Sequence, residues 1–267
     1  MEGVKHIVAV ASGKGGVGKS TVTVNLALAL AREGYRVGIL DADIHGPSQA
    51  QMLGVDEGVR PKAAPGDNKF LPIEAHGIQA MSMAFLVNTK EPMVWRGPMV
   101  AGAFQQMLNQ TVWDDLDFLL IDMPPGTGDV QLTLAQKVPA SGAVIVTTPQ
   151  DIALLDARKG IEMFRKVKVP VVGVVENMSV YHCEQCGHEA AIFGTGGGER
   201  IAEEYATRVL GRLPLALSIR ELADSGKPSV VSEPDSAVSQ TFASIARQVA
   251  EAVNGQSNQG PTISFSE

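Results

Sequence analysis

The segment Gly13-Lys14-Gly15-Gly16-Val17-Gly18-Lys19-Ser20-Thr21 constrains this chain more than any other. It fits the pattern G-x-x-x-x-G-K-[ST], and its flanks are those the pattern needs. A β-branched run, His6–Ala11, precedes it, and a helix-patterned stretch, Lys19–Arg32, follows and is closed by Gly34. Glycines let the backbone turn tightly with its N–H groups pointing inward, which makes a nest for phosphate oxygens. A helix starting at the same place adds the positive end of its dipole. Gly13, Gly15, Gly16, Val17 and Gly18 then cradle phosphates, Lys19 pairs with the β- and γ-phosphates, Ser20 places its hydroxyl on Mg²⁺, and Thr21 contacts the α-phosphate.

The rest of the chain repeats this alternation. Arg36–Leu40, Asp117–Ile121, Gly142–Thr147, Val169–Val175 and Arg208–Leu213 read as short strands. Asp129–Lys137, Ile152–Lys168 and Gly197–Ala206 read as helices between the later ones. Strand, helix, strand at these spacings predicts an α/β fold with a mostly parallel sheet covered on both faces. Asp56–Ala80, rich in Gly, Pro and charge, is expected to hold a hairpin or a long surface loop. Val238, Phe242, Ile245, Val249 and Val253 form one apolar helical face. A single domain over residues 1–253 is expected, with 254–267 as a disordered tail.

Two strands end in acids. Asp122 follows the apolar run Phe118–Ile121, as a carboxylate that holds Mg²⁺ through water does. The loop after it, Met123–Asp129, carries two prolines and two glycines and is a candidate switch beside the γ-phosphate. Asp41 and Asp43 close the Arg36–Leu40 strand, and ligands of open α/β sheets bind at such carboxyl ends. The two cysteines, Cys183 and Cys186, sit three positions apart. Such a pair grips one metal centre but does not complete a four-cysteine site; a symmetric dimer would bring two pairs together. A zinc site shared with His182 or His188, and a redox dithiol, are the competing readings. The formal net charge of −7 argues against general nucleic-acid binding. With no apolar run of about 18 residues, no transmembrane helix is expected. With no signal peptide, a cytoplasmic location is expected.

Lys14 adds a second lysine to the phosphate loop, giving K-G-G-V-G-K-[ST]. That form resembles the deviant Walker A loop of the nitrogenase iron protein, the Min and Par ATPases, and the arsenite and tail-anchor ATPases. The resemblance implies that Lys14 reaches the partner's nucleotide across a homodimer. Asp41-Ala-Asp-Ile-His-Gly-Pro-Ser48, Trp95-Arg-Gly-Pro-Met99, Asp122-Met-Pro-Pro-Gly-Thr-Gly-Asp129, Thr148-Pro-Gln150, Glu176-Asn-Met-Ser179, Cys183-x-x-Cys-Gly187 and Ile192-Phe-Gly194 extend it. Together, over about residues 5–250, they resemble the Mrp/ApbC family of iron–sulfur cluster carrier ATPases.

Resemblance to that family implies a three-layer P-loop NTPase fold and a slow, Mg²⁺-dependent ATP hydrolysis. It implies roles for single residues too. Asp43 positions the attacking water, Asp41 supports the Mg²⁺ water shell, Asn177 reads the adenine, and Pro214 opens the base-binding loop. By the same resemblance, a homodimer holds a [4Fe–4S] cluster on Cys183 and Cys186 of both subunits, receives it from a cluster donor and passes it to apo-proteins. Zn²⁺ is the competing occupant of the same thiolates. Neither an N-terminal accessory domain nor a four-cysteine N-terminal site is expected, and His45 stands where an aromatic residue is usual. Two other classes of function compete. A Min- or Par-like spatial regulator would need a basic amphipathic C-terminal helix or a basic surface, yet Arg247 is the only basic residue after Lys227. A nucleotide-binding protein with a structural zinc is the other. No membrane or nucleic-acid partner is expected, and Trp95–Met99 receives no role.

Overall fold

The computed structural model describes residues 3–44, 46–64, 69–86, 97–183 and 185–256. The first half runs β1 (Val4–Ala11), α1 (Lys19–Arg32), β2 (Val37–Asp41), α2 (Gln49–Met52), β3 (Ile73–Ala75), β4 (Ile78–Ser82), α3 (Gly97–Gln110) and β5 (Leu116–Asp122). The second runs α4 (Asp129–Lys137), β6 (Gly142–Thr147), α5 (Asp151–Lys166), β7 (Val171–Glu176), β8 (Tyr181–His182), β9 (Glu189–Ala190), α6 (Gly197–Glu204), β10 (Val209–Arg212), α7 (Leu217–Asp224), α8 (Ser229–Ser232) and α9 (Ala237–Gln256).

Eight strands form one sheet in the order β10-β7-β6-β1-β5-β2-β4-β3, parallel except at β3; β8 and β9 make a separate antiparallel hairpin. The central strands are buried along nearly their whole length, which is why they read as unbroken apolar runs. Helices α1 and α9 pack on each other over one face, and α5 and α6 pack on each other over the opposite face. Phe104, Phe118, Phe164 and Phe242 are among the largest fully buried side chains. The strand order places β1 between β5 and β6, so the loop after β1 opens at the carboxyl edge beside the ends of β5 and β2. That crevice is where a doubly wound sheet binds its ligand.

The three-layer P-loop NTPase architecture is the expected one, with two more strands in the sheet and the separate hairpin β8–β9. Asp56–Ala80 contributes the hairpin β3–β4, turning at His76 and Gly77, both with positive φ. β4 then pairs parallel to β2 and extends the sheet. Helices α3 and α7 are additional to the expected ones, although the buried Val100, Phe104, Met107 and Leu108 of α3 recur at helical spacing. Two helices stop short of their expected ends: α5 at Lys166, followed by Lys168 with φ 59°, and α6 at Glu204, followed by Ala206 with φ 51°. A left-handed residue cannot continue a right-handed helix. The last helix runs through Asn254 and Gly255 to Gln256, so the folded part extends past Val253; residues 257–267 of the expected tail lie outside the described residues. So do His45, Trp95 and Arg96.

Candidate functional site

The phosphate loop is shaped by two close approaches. A Cβ added at Gly13 would lie 2.0 Å from the Asp156 carbonyl oxygen in α5, so only glycine fits where the loop leaves β1. Gly18 is left-handed at φ 83°, and a Cβ there would lie 2.2 Å from Asn177 Nδ2. Asn177 donates through that nitrogen to the Val17 carbonyl at 2.9 Å, tying the end of β7 to the loop. Its side-chain contact in this structure is therefore the loop backbone. Gly15 and Gly16 are exposed and Val17 is buried. Thr21 accepts from Asn25 Nδ2 on its backbone oxygen. Lys14 is half-buried, its carbonyl held by the Ser12 hydroxyl at 2.9 Å.

The metal-binding candidates converge at the start of α1. Lys19, 6% exposed, donates to Asp122 Oδ1 at 2.5 Å and to Ser20 Oγ at 3.1 Å. The same Asp122 oxygen accepts from Thr23 Oγ1 at 3.1 Å. Asp122 Oδ2 accepts from Gln49 Nε2 at 2.8 Å, and Gln49 also donates to the Ser20 carbonyl at 3.1 Å. Asp41 lies one strand over and is fully buried. Its Oδ2 accepts from the N–H groups of Ser48 and Gln49 and from Ser82 Oγ, and its Oδ1 from the Asp43 N–H. Burial, and then the charge of Asp122, push the Asp41 carboxyl up to about 7, against the pull of the Gln49 and Asp43 N–H groups and of Lys19. Asp43 is half-buried and accepts from the Gly46 N–H at 3.2 Å.

Ser20, Lys19, Asp122 and Asp41 thus lie together, although 103 positions separate Lys19 from Asp122, and here Lys19 pairs with Asp122. The Ser20 hydroxyl and the Asp122 carboxylate suit a hard divalent cation, and the buried Gln49 Oε1 and Ser48 Oγ have no hydrogen-bond partner among the described residues. When bound, Mg²⁺ would neutralise charge developing on the phosphates. Gln49 and Thr23 were missed by sequence reading. Ser48 closes the Asp41–Ser48 motif, but nothing in the sequence shows that the next residue folds back onto Asp122.

The cysteines occupy the turn of the β8–β9 hairpin. Cys183 and Cys186 are not joined in a disulfide; Cys183 is half-buried and Cys186 exposed. The Cys183 N–H donates to the His188 carbonyl at 2.9 Å, and the Gly187 N–H donates to the Cys183 carbonyl at 2.8 Å with Gly187 left-handed at φ 70°. This turn keeps the two residues on one short knuckle. His182 Nδ1 lies 3.2 Å from a Glu189 carboxylate oxygen across the hairpin. Among the described residues no group of three or more Cys, His, Asp and Glu is placed to hold a metal. Pro214 lines a cavity of about 570 Å³ between this hairpin and the start of α9, with Glu176, His182, Glu189 and Val238. His6 packs against Phe118 and His76 bonds the Gly226 carbonyl, both structural contacts.

A parallel sheet with a G-x-x-x-x-G-K-[ST] loop at its central strand, and an acid-ended strand beside it, defines a P-loop NTPase. The particular group is narrower. A family model described as ParA, NUBPL iron-transfer P-loop NTPase, matches residues 3–250, and the chain belongs to that family. It is 66% identical over 244 residues to an iron–sulfur cluster carrier protein of Pseudomonas fragi, covering 91% of this chain and 84% of that one. It is 52% identical over 251 residues to the mouse (Mus musculus) iron–sulfur cluster transfer protein NUBPL, covering 93% and 78%. Among solved structures, a nucleotide-binding protein of Archaeoglobus fulgidus in complex with ADP is similar at TM-score 0.77 and 37% identity, over 90% of this chain and 93% of that one.

Proposed function

We propose that this chain is an ATP-dependent iron–sulfur cluster carrier. It works as a homodimer, taking a [4Fe–4S] cluster as cargo on Cys183 and Cys186 of both subunits and delivering it to apo-proteins. The observation that carries the reading is the placement of the cysteines: Cys183 and Cys186 share one backbone-bonded hairpin turn, not joined in a disulfide, on the segment that follows the strand whose end touches the phosphate loop. Four sulfurs require a second copy. The names of the relatives, carrier and transfer proteins for iron–sulfur clusters, support the cargo, and the ADP complex of the Archaeoglobus protein supports the nucleotide.

In this reading Lys19, released from Asp122, meets the β- and γ-phosphates, and Ser20 and Asp122 hold Mg²⁺. Asp43 orients the attacking water, Lys14 stabilises charge on the partner's phosphates, and Asn177 and Pro214 border the base. Ile152 and Leu155 are exposed on α5, whose Asp156 backs Gly13, so apolar surface lies beside the loop that carries Lys14. Asn177 is followed within six residues by Cys183, a short path from phosphate loop to cargo. Anaerobic reconstitution with iron and sulfide is expected to load about four irons per dimer with a sulfur-to-iron charge-transfer band. Cys183→Ala and Cys186→Ala should each lose both; a variant that keeps both would overturn the assignment.

A further inference from the structure

Gln49 is 1% exposed, and its Oε1 has no hydrogen-bond partner among the described residues; neither has the buried Oγ of the preceding Ser48. The amide cannot be turned to cure this. Its Nε2 donates to Asp122 Oδ2 and to the Ser20 carbonyl, two groups that only accept. Reversing the amide would set oxygen against oxygen on both, so the carbonyl oxygen is forced to stay on the other side. Native folds leave few buried polar atoms unpaired, and those that remain need a reason. The Gln49 amide sits on Ser20 and Asp122, the residues assigned above to Mg²⁺, and Ser48 precedes it on the backbone that Asp41 holds.

Asp41 engages the backbone of these two residues, not their side chains. Its Oδ2 already accepts from the Ser48 N–H, the Gln49 N–H and Ser82 Oγ, all at 3.0–3.2 Å. Those bonds instead fix the start of α2, and so fix where the Gln49 and Ser48 side chains stand. Mg²⁺ sheds its waters reluctantly, and each water it keeps is a strong donor that needs an acceptor.

We propose that Gln49 and Ser48 are positioning residues for the hydrated metal: Gln49 Oε1 and Ser48 Oγ accept hydrogen bonds from waters bound to the Mg²⁺ of the nucleotide complex. Gln49 links the metal's water shell to the carboxylate that holds the metal. The inference rests on the nucleotide reading above and extends it to two residues that motif matching does not assign.

The test uses the full chain with ADP, and Mn²⁺ as a paramagnetic stand-in whose free fraction is counted by electron paramagnetic resonance. Gln49→Leu and Ser48→Ala are compared with the unaltered chain, and a fluorescent ADP analogue is titrated in EDTA in parallel. Outer-shell partners of a metal are worth about 10–100-fold in affinity, so Mn²⁺ binding should weaken about tenfold or more in Gln49→Leu. Ser48→Ala should weaken it in the same direction, with metal-free ADP affinity unchanged in both. Unchanged Mn²⁺ affinity in both variants overturns the proposal. So does a loss of ADP affinity equal with and without metal, which marks a structural role. If Gln49→Leu does not fold, Ser48→Ala decides alone. An unaltered chain that binds no ADP under either condition refutes the nucleotide reading itself, a result separable from the others.

Discussion

Val17 and Asn177 stand 160 positions apart, yet one amide hydrogen bond joins them at 2.9 Å. Gly18 permits that contact twice over, by its left-handed φ and by having no side chain. The two reasons are separable, because Gly58 has a similar φ of 90° with nothing within 4 Å of an added Cβ. Gly58→Ala should cost only the left-handed penalty of about 1–2 kcal/mol. Gly18→Ala should cost more in urea unfolding and should also abolish ADP binding, since Asn177 must move off the loop. Equal costs would show that the Asn177 contact contributes nothing. The role of Gly18 as a loop glycine was legible from the motif. The partner that crowds it was not, because no local pattern links a strand end to a loop so distant in the chain.

At the scale of elements, β5 is anchored at its start as well as its end. Asp117 accepts from Lys5 Nζ at 2.7 Å and from the Arg36 N–H at 2.8 Å, stitching the entry to β2 and strand β1 onto β5. Partial burial alone would raise the Asp117 carboxyl, but the hydrogen bonds from Lys5 and the Arg36 N–H, with their charges, outweigh it and hold it below its ordinary 3.8. An acid whose pKa falls on folding adds stability that is present above the unfolded value and is lost as pH drops through the folded one. Lys5 is largely exposed, so the effect is modest. Asp117→Asn should therefore cost about 0.5–1.5 kcal/mol at pH 7, the gap closing in acid below the ordinary carboxylate range, as read from urea melts across pH. A gap that does not depend on pH would refute the electrostatic account. Helix bodies and buried strands followed from period and apolar runs. The ends of α5 and α6 did not, because Lys168 and Ala206 carry no glycine signal for their left-handed turns. β4 was hidden for another reason: it is short and sits in a segment whose glycines and charges look like loop.

At the scale of the molecule, α5 presents Ile152 at 69% and Leu155 at 55% exposure on one face, next to the loop carrying Lys14. That face, with two exposed apolar side chains beside a charged site, is the proposed dimer contact. If two copies meet there, as proposed, the unaltered chain should dimerise in light scattering with ATP and Mg²⁺, and Leu155→Asp should stay monomeric under the same conditions while its thermal midpoint is unchanged. A dimer that survives the change would move the interface elsewhere.

What the sequence determined by itself was local or periodic: the phosphate loop with its flanking strand and helix, the acid-ended strands, the amphipathic last helix and the two-cysteine knuckle. These are set by steric and hydrogen-bonding demands that act within a few residues, so they can be read in order along the chain. The tertiary structure alone decided which of them share a space. Packing in a parallel sheet brought Lys19 onto Asp122, folded Gln49 back between Ser20 and Asp122, and set Asn177 under Val17. Strand order and burial impose those contacts, and no interval between residues encodes them.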